Sequence, residues 1–279
     1  MLFDSHAHFN EDSFTEEERQ AIIAETFSDD TISYVVDIGY DLSSSVQAVR
    51  DAESHVRIYA AVGVHPHNSG SMTEDILDEL RKLAQHDKVK AVGEIGLDYH
   101  YMRSEKEAQR YWFRRQIRLA NDLGMPIVVH SREADRETMD ILTEEGAFSA
   151  ERKSMFQPQN AKGSSWQSAG VDIHCFSGSA ELAMEYVSLG ATIGICGPLT
   201  YKNNKKTVRV AESVPLECIM IETDTPFLAP EPMRGRPNRP RYVEYTARRL
   251  AEIKGITYAE AAERTCKNAE RFYGIGAHI

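Results

Sequence analysis

Eight short runs rich in β-branched and apolar residues recur along the 279-residue chain, each giving way to a stretch of helical periodicity. The runs cover residues 2–8, 31–39, 56–64, 89–95, 126–130, 170–175, 191–196 and 217–222. Segments such as TEEERQAIIAETF, SMTEDILDELRKLAQH and SEKEAQRYWFRRQIRLANDLG lie between them, the last stopping at Gly124 and Pro126. Strands alternating with helices of this length form parallel β–α–β units. Eight units within about 255 residues predict an α/β fold closed into a (β/α)8 TIM barrel, with a doubly wound open sheet as the alternative. The stretch ITYAEAAERTCKNAERFYGI beyond the eighth unit predicts an extra C-terminal helix and a short tail on the outside. No internal repeat or linker divides the chain, so residues 1–279 read as one domain.

Residues 146–170, GAFSAERKSMFQPQNAKGSSWQSAG, break the alternation, because their apolar residues have no period. They read as a long loop or insertion. Lying after the fifth helix and before the sixth strand, they emerge at the N-terminal face of a barrel, opposite the face that carries active sites. A surface insertion, rather than a catalytic lid, is the reading.

The chain is 42% hydrophobic and 27% charged, enough for a sizeable core. A net charge of −11 argues against holding long duplex DNA on a broad basic face, but not against a small anion at a metal site. No apolar run approaches the ~20 residues that span a bilayer, and the chain enters a strand at once. A cytoplasmic protein without membrane contact, a monomer or small homo-oligomer, is the expectation. Cys175, Cys196, Cys218 and Cys266 form no C-x-x-C pair and read as reduced thiols, with Cys175 a buried structural one.

In a barrel, polar residues at the C-terminal ends of strands read as catalytic. The first strand ends in His6 and His8, the fourth in Glu94, the fifth in His130, the sixth in His174 and the eighth in Glu222 and Asp224. The third runs into GVHPH, with His65 and His67, while the second and seventh end in Gly39 and Gly197. Residues two apart on a strand face the same way, so His6 and His8 converge on one point. Any one of these histidines can be a buried or surface residue with no such role. Four imidazoles and two carboxylates at one barrel mouth, however, are the ligand inventory of a two-metal site.

The blocks FDSHAHF, GVHPH, GEIGLDYH, HSREA, HCFSGS and ETDTPFLAP resemble, in order and spacing, the signature blocks of the TatD family of metal-dependent deoxyribonucleases. These belong to the amidohydrolase-like barrels. The resemblance covers nearly the whole chain and ends with RGRPNRP. It implies that His6 and His8 bind one metal, that His130 and His174 help bind a second, that Glu94 bridges or ligates at the centre, and that Asp224 completes the site. The chief departure is the insertion at 146–170, where the family has a shorter connection.

A mixed imidazole–carboxylate set suits Zn, Mn, Fe(II) or Mg with Mn, probing two divalent ions per chain without choosing among them. Such ions lower the pKa of a bound water towards ~7, with Asp224 as general base and Glu94 at the catalytic centre. Glu222 is an orienting group behind the ligands or a salt-bridged carboxylate. Arg234, Arg236, Arg239 and Arg241 are a phosphate-binding loop or a solvated basic loop. Arg132 is the better-placed phosphate ligand, and His65 and His67 are donors to a phosphoryl oxygen. Tyr99 stacks on a terminal nucleotide or is an ordinary rim aromatic. The expected function is a metal-dependent exonuclease-type phosphodiesterase acting on nucleic-acid ends. The alternative is hydrolysis of a carboxyl ester or amide, including the aminoacyl-tRNA ester.

Overall fold

Strand order follows chain order. In a computed structural model that describes residues 1–156 and 166–276, eight parallel strands form one sheet, each paired with the next. They are β1 (Leu2–Ala7), β2 (Ile32–Ile38), β3 (Ile58–Val62), β4 (Val89–Asp98), β5 (Ile127–Arg132), β6 (Val171–Ile173), β7 (Ala191–Ile195) and β8 (Ile219–Ile221). Between them run α1 (Glu16–Thr26), α2 (Leu42–Ser54), α3 (Glu74–Leu83), α4 (Lys106–Leu123), α5 (Asp135–Glu144), α6 (Ala150–Met155), α7 (Ala180–Leu189) and α8 (Lys205–Ser213), followed by α9 (Val243–Lys254) and α10 (Tyr258–Tyr273). The expected (β/α)8 barrel is the fold, and no described helix is long and apolar enough to cross a membrane.

Each strand is apolar on both faces, as a parallel sheet covered by helices requires. Outward residues such as Val35, Val62, Val129 and Ile193 pack into the main core beneath the helices. Inward residues Phe3, Val36, Ile38, Ala61, Ala91, Val128 and Met220 form a second cluster with Cys266, Ala269, Phe272 and Tyr273 of α10. The extra helix is therefore not an outer decoration. It plugs the N-terminal end of the barrel, with the Tyr273 hydroxyl donating to the Ser5 carbonyl at 2.8 Å.

The seam between β1 and β8 is closed mainly by groups flanking the catalytic face. Thr223 N–H donates to Asp4 Oδ1 at 2.8 Å, Asp224 N–H to the His6 carbonyl at 2.9 Å and His8 N–H to the Thr225 carbonyl at 2.8 Å. These bonds fix the two ends of the chain's chemistry, His6-x-His8 and Glu222-x-Asp224, against each other. Helix α4 stops where expected, at Gly124 in the left-handed conformation (φ 64°).

Three further expectations are corrected. β4 runs to Asp98, past Gly96, so Glu94 lies within the strand, where the β4–β5 register is irregular between Val92 and Ile95. The 146–170 stretch is not all loop: Ser149 caps α6, and Arg152 is buried under the start of β6. Residues 157–165 of that stretch lie outside the described residues. Finally, Cys175 and Cys196 are joined as a disulfide, with Cα atoms 5.5 Å apart, because β6 and β7 are neighbours. Cys175 is half-buried rather than buried, while Cys218 and Cys266 are buried free thiols.

Candidate metal centre

His6 and His8 converge as strand alternation requires, their Nε2 atoms 3.2 Å apart. Glu94 reaches between two groups of imidazoles. Its Oε2 lies 3.4 Å from His6 Nε2 and 3.9 Å from His8 Nε2. Its Oε1 lies 2.8 Å from His130 Nδ1 and 3.9 Å from His174 Nε2. Asp224 Oδ1 sits 3.4 Å from His8 Nε2 and 3.8 Å from His174 Nε2. All six expected ligands are thus brought to one place, and all but the rims of His130 and Asp224 are buried.

The opposite nitrogens of three of these rings tell which lone pairs face inward. His8 Nδ1 is 2.8 Å from the Ile38 carbonyl, an acceptor only, so Nδ1 carries a proton and Nε2 is the nitrogen turned to the cluster. His130 Nε2 is 3.2 Å from Asp98 Oδ2, and His174 Nδ1 is 2.9 Å from Glu222 Oε1. The His8 and His130 rings are held from behind by a carbonyl and a carboxylate, the arrangement that fixes metal-binding histidines, and Glu222 stands behind the His174 ring. Lone pairs and carboxylate oxygens crowded into a buried space call for a cation, so the donor set fits divalent metal ions.

His65 differs. Its Nδ1 accepts the His67 backbone N–H at 3.0 Å, leaving Nε2 as the protonated nitrogen, 3.7 Å from Glu94 Oε1. That polarity suits a donor to substrate rather than a metal ligand. His67 Nε2 is 2.9 Å from Asp98 Oδ2.

Burial disfavours charge on His8, but the Asp224 hydrogen bond and the fields of Asp224 and Glu94 raise its pKa to about 9. Burial likewise opposes charge on His174, yet Glu222 and Glu94 raise it to about 10. His6 and His65 are lowered, first by burial and then by neighbouring imidazoles. Against the opposing effect of burial, the surrounding imidazoles hold Glu94 and Asp224 below the usual carboxylate range.

Asp224 adopts a left-handed backbone (φ 59°), uncommon outside glycine and asparagine, a local strain of the sort that collects at functional sites. Two groups missed in the sequence support the cluster. Asp98 accepts hydrogen bonds from the backbone N–H groups of His100 and Tyr101, at 3.0 and 2.8 Å, while its other oxygen faces His67 and His130. It lies four residues after Glu94 on the same strand face, a signal obscured by ending β4 at Ile95. Asp4 accepts from Thr223 beside Asp224. Glu222 lies behind the His174 ring and accepts the Cys175 N–H at 2.6 Å. Gly194 makes room for it, since a Cβ there would stand 2.8 Å from both carboxylate oxygens.

Substrate-side residues are redistributed. Arg132 lies over the Tyr101 ring at 4.8 Å, and that ring faces His67 at 5.5 Å. Tyr99 turns elsewhere: its hydroxyl donates to Glu137 at 2.7 Å and Lys106 Nζ covers its ring at 4.2 Å. The rim aromatics beside the cluster are Tyr101 and Phe227, 51% and 49% exposed, with the Phe227 ring 6.3 Å from that of His8. The four arginines do not form one site. Arg239 and Arg241 pair with Glu25 and Asp29 at 3.6 and 2.8 Å, and Arg234 lies over Tyr201 at 4.4 Å.

Comparison with known proteins gives the family. Residues 3–274 match the family model described as TatD related DNase. An uncharacterized metal-dependent hydrolase of Bacillus subtilis, YabD, is 38% identical over 99% of this chain and 100% of its own. An Enterobacter lignolyticus protein named 3'-5' ssDNA/RNA exonuclease TatD is 28% identical over 98% of this chain and 99% of its own. The crystal structure of the TatD homologue YjjV of Escherichia coli superposes with a TM-score of 0.83 at 25% identity, covering 98% of both chains. This chain belongs to the TatD-related family of metal-dependent hydrolases.

Proposed function

We propose that the chain removes nucleotides from exposed nucleic-acid ends as a phosphodiesterase with two divalent ions. The observation that carries this reading is Glu94, whose Oε2 faces His6 and His8 while its Oε1 faces His130 and, farther off, His65 and His174. In this reading His6, His8, Glu94, His130, His174 and Asp224 would hold the ions. The ions, when bound, supply a water acidic enough to attack at neutral pH and neutralise charge on the phosphoryl group. Asp224 accepts the proton of the attacking water. His65 Nε2–H and Arg132 donate to phosphoryl oxygens as charge builds there. His67 holds Asp98, and through it the His130 ring. Tyr101 and Phe227 offer faces on which a terminal base stacks, the role expected of Tyr99. The relative named as an exonuclease supports a nucleic acid over other esters.

A labelled single-stranded oligonucleotide tests the reading. Mononucleotides are expected to accumulate from one end, to stop on chelation, and to resume with Mg or Mn. No nucleotide release with Mg, Mn or Zn, alongside cleavage of a carboxyl ester or amide by the same preparation, would overturn it.

A further inference from the structure

From Tyr186 to Ala211 this acidic chain carries no carboxylate, while Lys202, Lys205, Lys206 and Arg209 all fall within that stretch. The fold collects three of these cations in a groove of about 530 Å³ between α8 and α9, where Arg249 joins them. Lys205 and Arg209 stand one turn apart on α8, about 6 Å along its axis at 1.5 Å per residue, the scale of the repeat between neighbouring phosphates in an extended strand.

These cations differ from most others on the surface. Arg110, Arg114, Arg115, Arg118, Arg136 and Arg248 each sit against a carboxylate. Lys202, Lys205 and Arg209 are exposed and have no carboxylate within 4 Å among the described residues, the nearest influence being that of Arg209 on Glu181. Arg249 pairs with Glu252 at 2.8 Å, and Glu212 is the single acid lining the groove, one turn beyond Arg209. In a protein with 43 acidic against 32 basic side chains, unpaired cations gathered in one groove are a local reversal of the field.

The groove is tied to the candidate centre. Tyr201 and Thr200 at its upper end bond to the segment that follows Asp224: the Tyr201 hydroxyl donates to the Ala229 carbonyl at 3.1 Å, and Glu231 N–H to Thr200 Oγ1 at 2.8 Å. That segment also carries the exposed Phe227 and Leu228. We propose that this groove binds the sugar–phosphate backbone of a single-stranded nucleic acid whose end lies in the metal centre. The proposal rests on the nuclease reading and extends it from the scissile nucleotide to the body of the strand. Backbone contacts of this type are insensitive to sequence and steeply dependent on salt.

The test compares wild type with Lys205→Glu, Arg209→Glu and the double variant. Arg50→Glu, an exposed α2 arginine without an ion pair, controls for net charge. Binding of a fluorescent single strand of about 15 nucleotides is measured by anisotropy in chelator, where nothing is cut. The double variant is expected to bind about tenfold more weakly, with a log Kd against log salt slope shallower by about 1.4, or 0.7 per lost phosphate contact. With metal present, the ratio of kcat/KM on the long strand to that on a dinucleotide should fall similarly. Binding and ratio within twofold of wild type would overturn the groove while leaving the nuclease reading intact. Binding lost in the double variant, with no phosphodiester cut by wild type in any metal, would instead overturn the nuclease reading.

Discussion

Replacing Asp224 with asparagine should lower turnover about 10³-fold while leaving the fold unchanged. Asparagine keeps the volume of the side chain and tolerates the left-handed backbone found at this position (φ 59°). The bonds that fix the residue are made by its backbone, to the His6 carbonyl at 2.9 Å and from the Phe227 N–H at 2.7 Å. What disappears is the charge beside His8 and His174 and the oxygen that accepts a proton. Loss of a positioned general base removes a factor of ~10²–10⁴, and a weakened metal ligand adds to it. Single-turnover hydrolysis of an oligonucleotide at saturating metal, with circular dichroism as the fold control, measures the effect. Turnover within tenfold of wild type would remove Asp224 from the reaction.

The Arg152→Ala variant should lose about 4 kcal/mol of stability, with turnover retained below its melting point. Arg152 is only 2% exposed and donates to four acceptors. Nε bonds the Ala169 carbonyl, Nη1 the Asn121 Oδ1 and Nη2 the Met125 carbonyl, each at 2.8 Å, while Nη2 also reaches the Gly170 carbonyl at 3.1 Å. Truncation removes the Arg152 donors from these acceptors; among the described residues only the Gly170 carbonyl keeps another, the Ile127 N–H at 2.8 Å. The cost is ~1–3 kcal/mol for a group left without a partner, and a cavity opens. At ~2–4 °C per kcal/mol for a domain of this size, the melting point should fall by roughly 10 °C. We read residues 146–170 as a surface insertion whose flanks are structural. Trp166 Nε1–H donates to the Val187 carbonyl at 2.8 Å on the same end of the barrel, opposite the metal centre. Joining residues 156 and 166 by a short Gly-Ser link should therefore cost only ~1 kcal/mol and leave turnover within about threefold. Equal losses from the two changes, by thermal melting, would contradict this division.

The barrel and the gathering of the six candidate ligands were legible because strand period and barrel topology decide both. Strand period places His6 with His8, and barrel topology brings every strand's C-terminal end to one mouth; Glu222 and Asp224 lie past the end of β8 and face opposite nitrogens of His174. Asp98 escaped because Gly96 looked like a strand end, whereas β4 continues past it to Asp98. Cys175 and Cys196 are 21 residues apart, a spacing with no motif, and only the lateral pairing of β6 and β7 joins them. Arg234, Arg236, Arg239 and Arg241 look like one cluster because they are close in sequence. In an irregular loop, proximity in sequence sets no common direction, and two of the four are drawn to carboxylates of the α1 end. The unpaired cations of α8 were hidden for a related reason, since pairing depends on neighbouring helices.

The central claim is that these six residues hold two divalent ions, and calorimetric titration of metal-free protein with Mn²⁺ tests it directly. His8 and His174, with pKa values raised to about 9 and about 10, are protonated at pH 7 before metal binds. Each must lose its proton to ligate, so metal binding competes with protons and tightens as pH rises, up to those values. Titration at pH 7 in buffers of different ionisation enthalpy should give two ions per chain and a release of about two protons. The Glu94→Gln variant should lose the two-ion stoichiometry. A single ion, no proton release, or two ions still bound by Glu94→Gln would contradict the account.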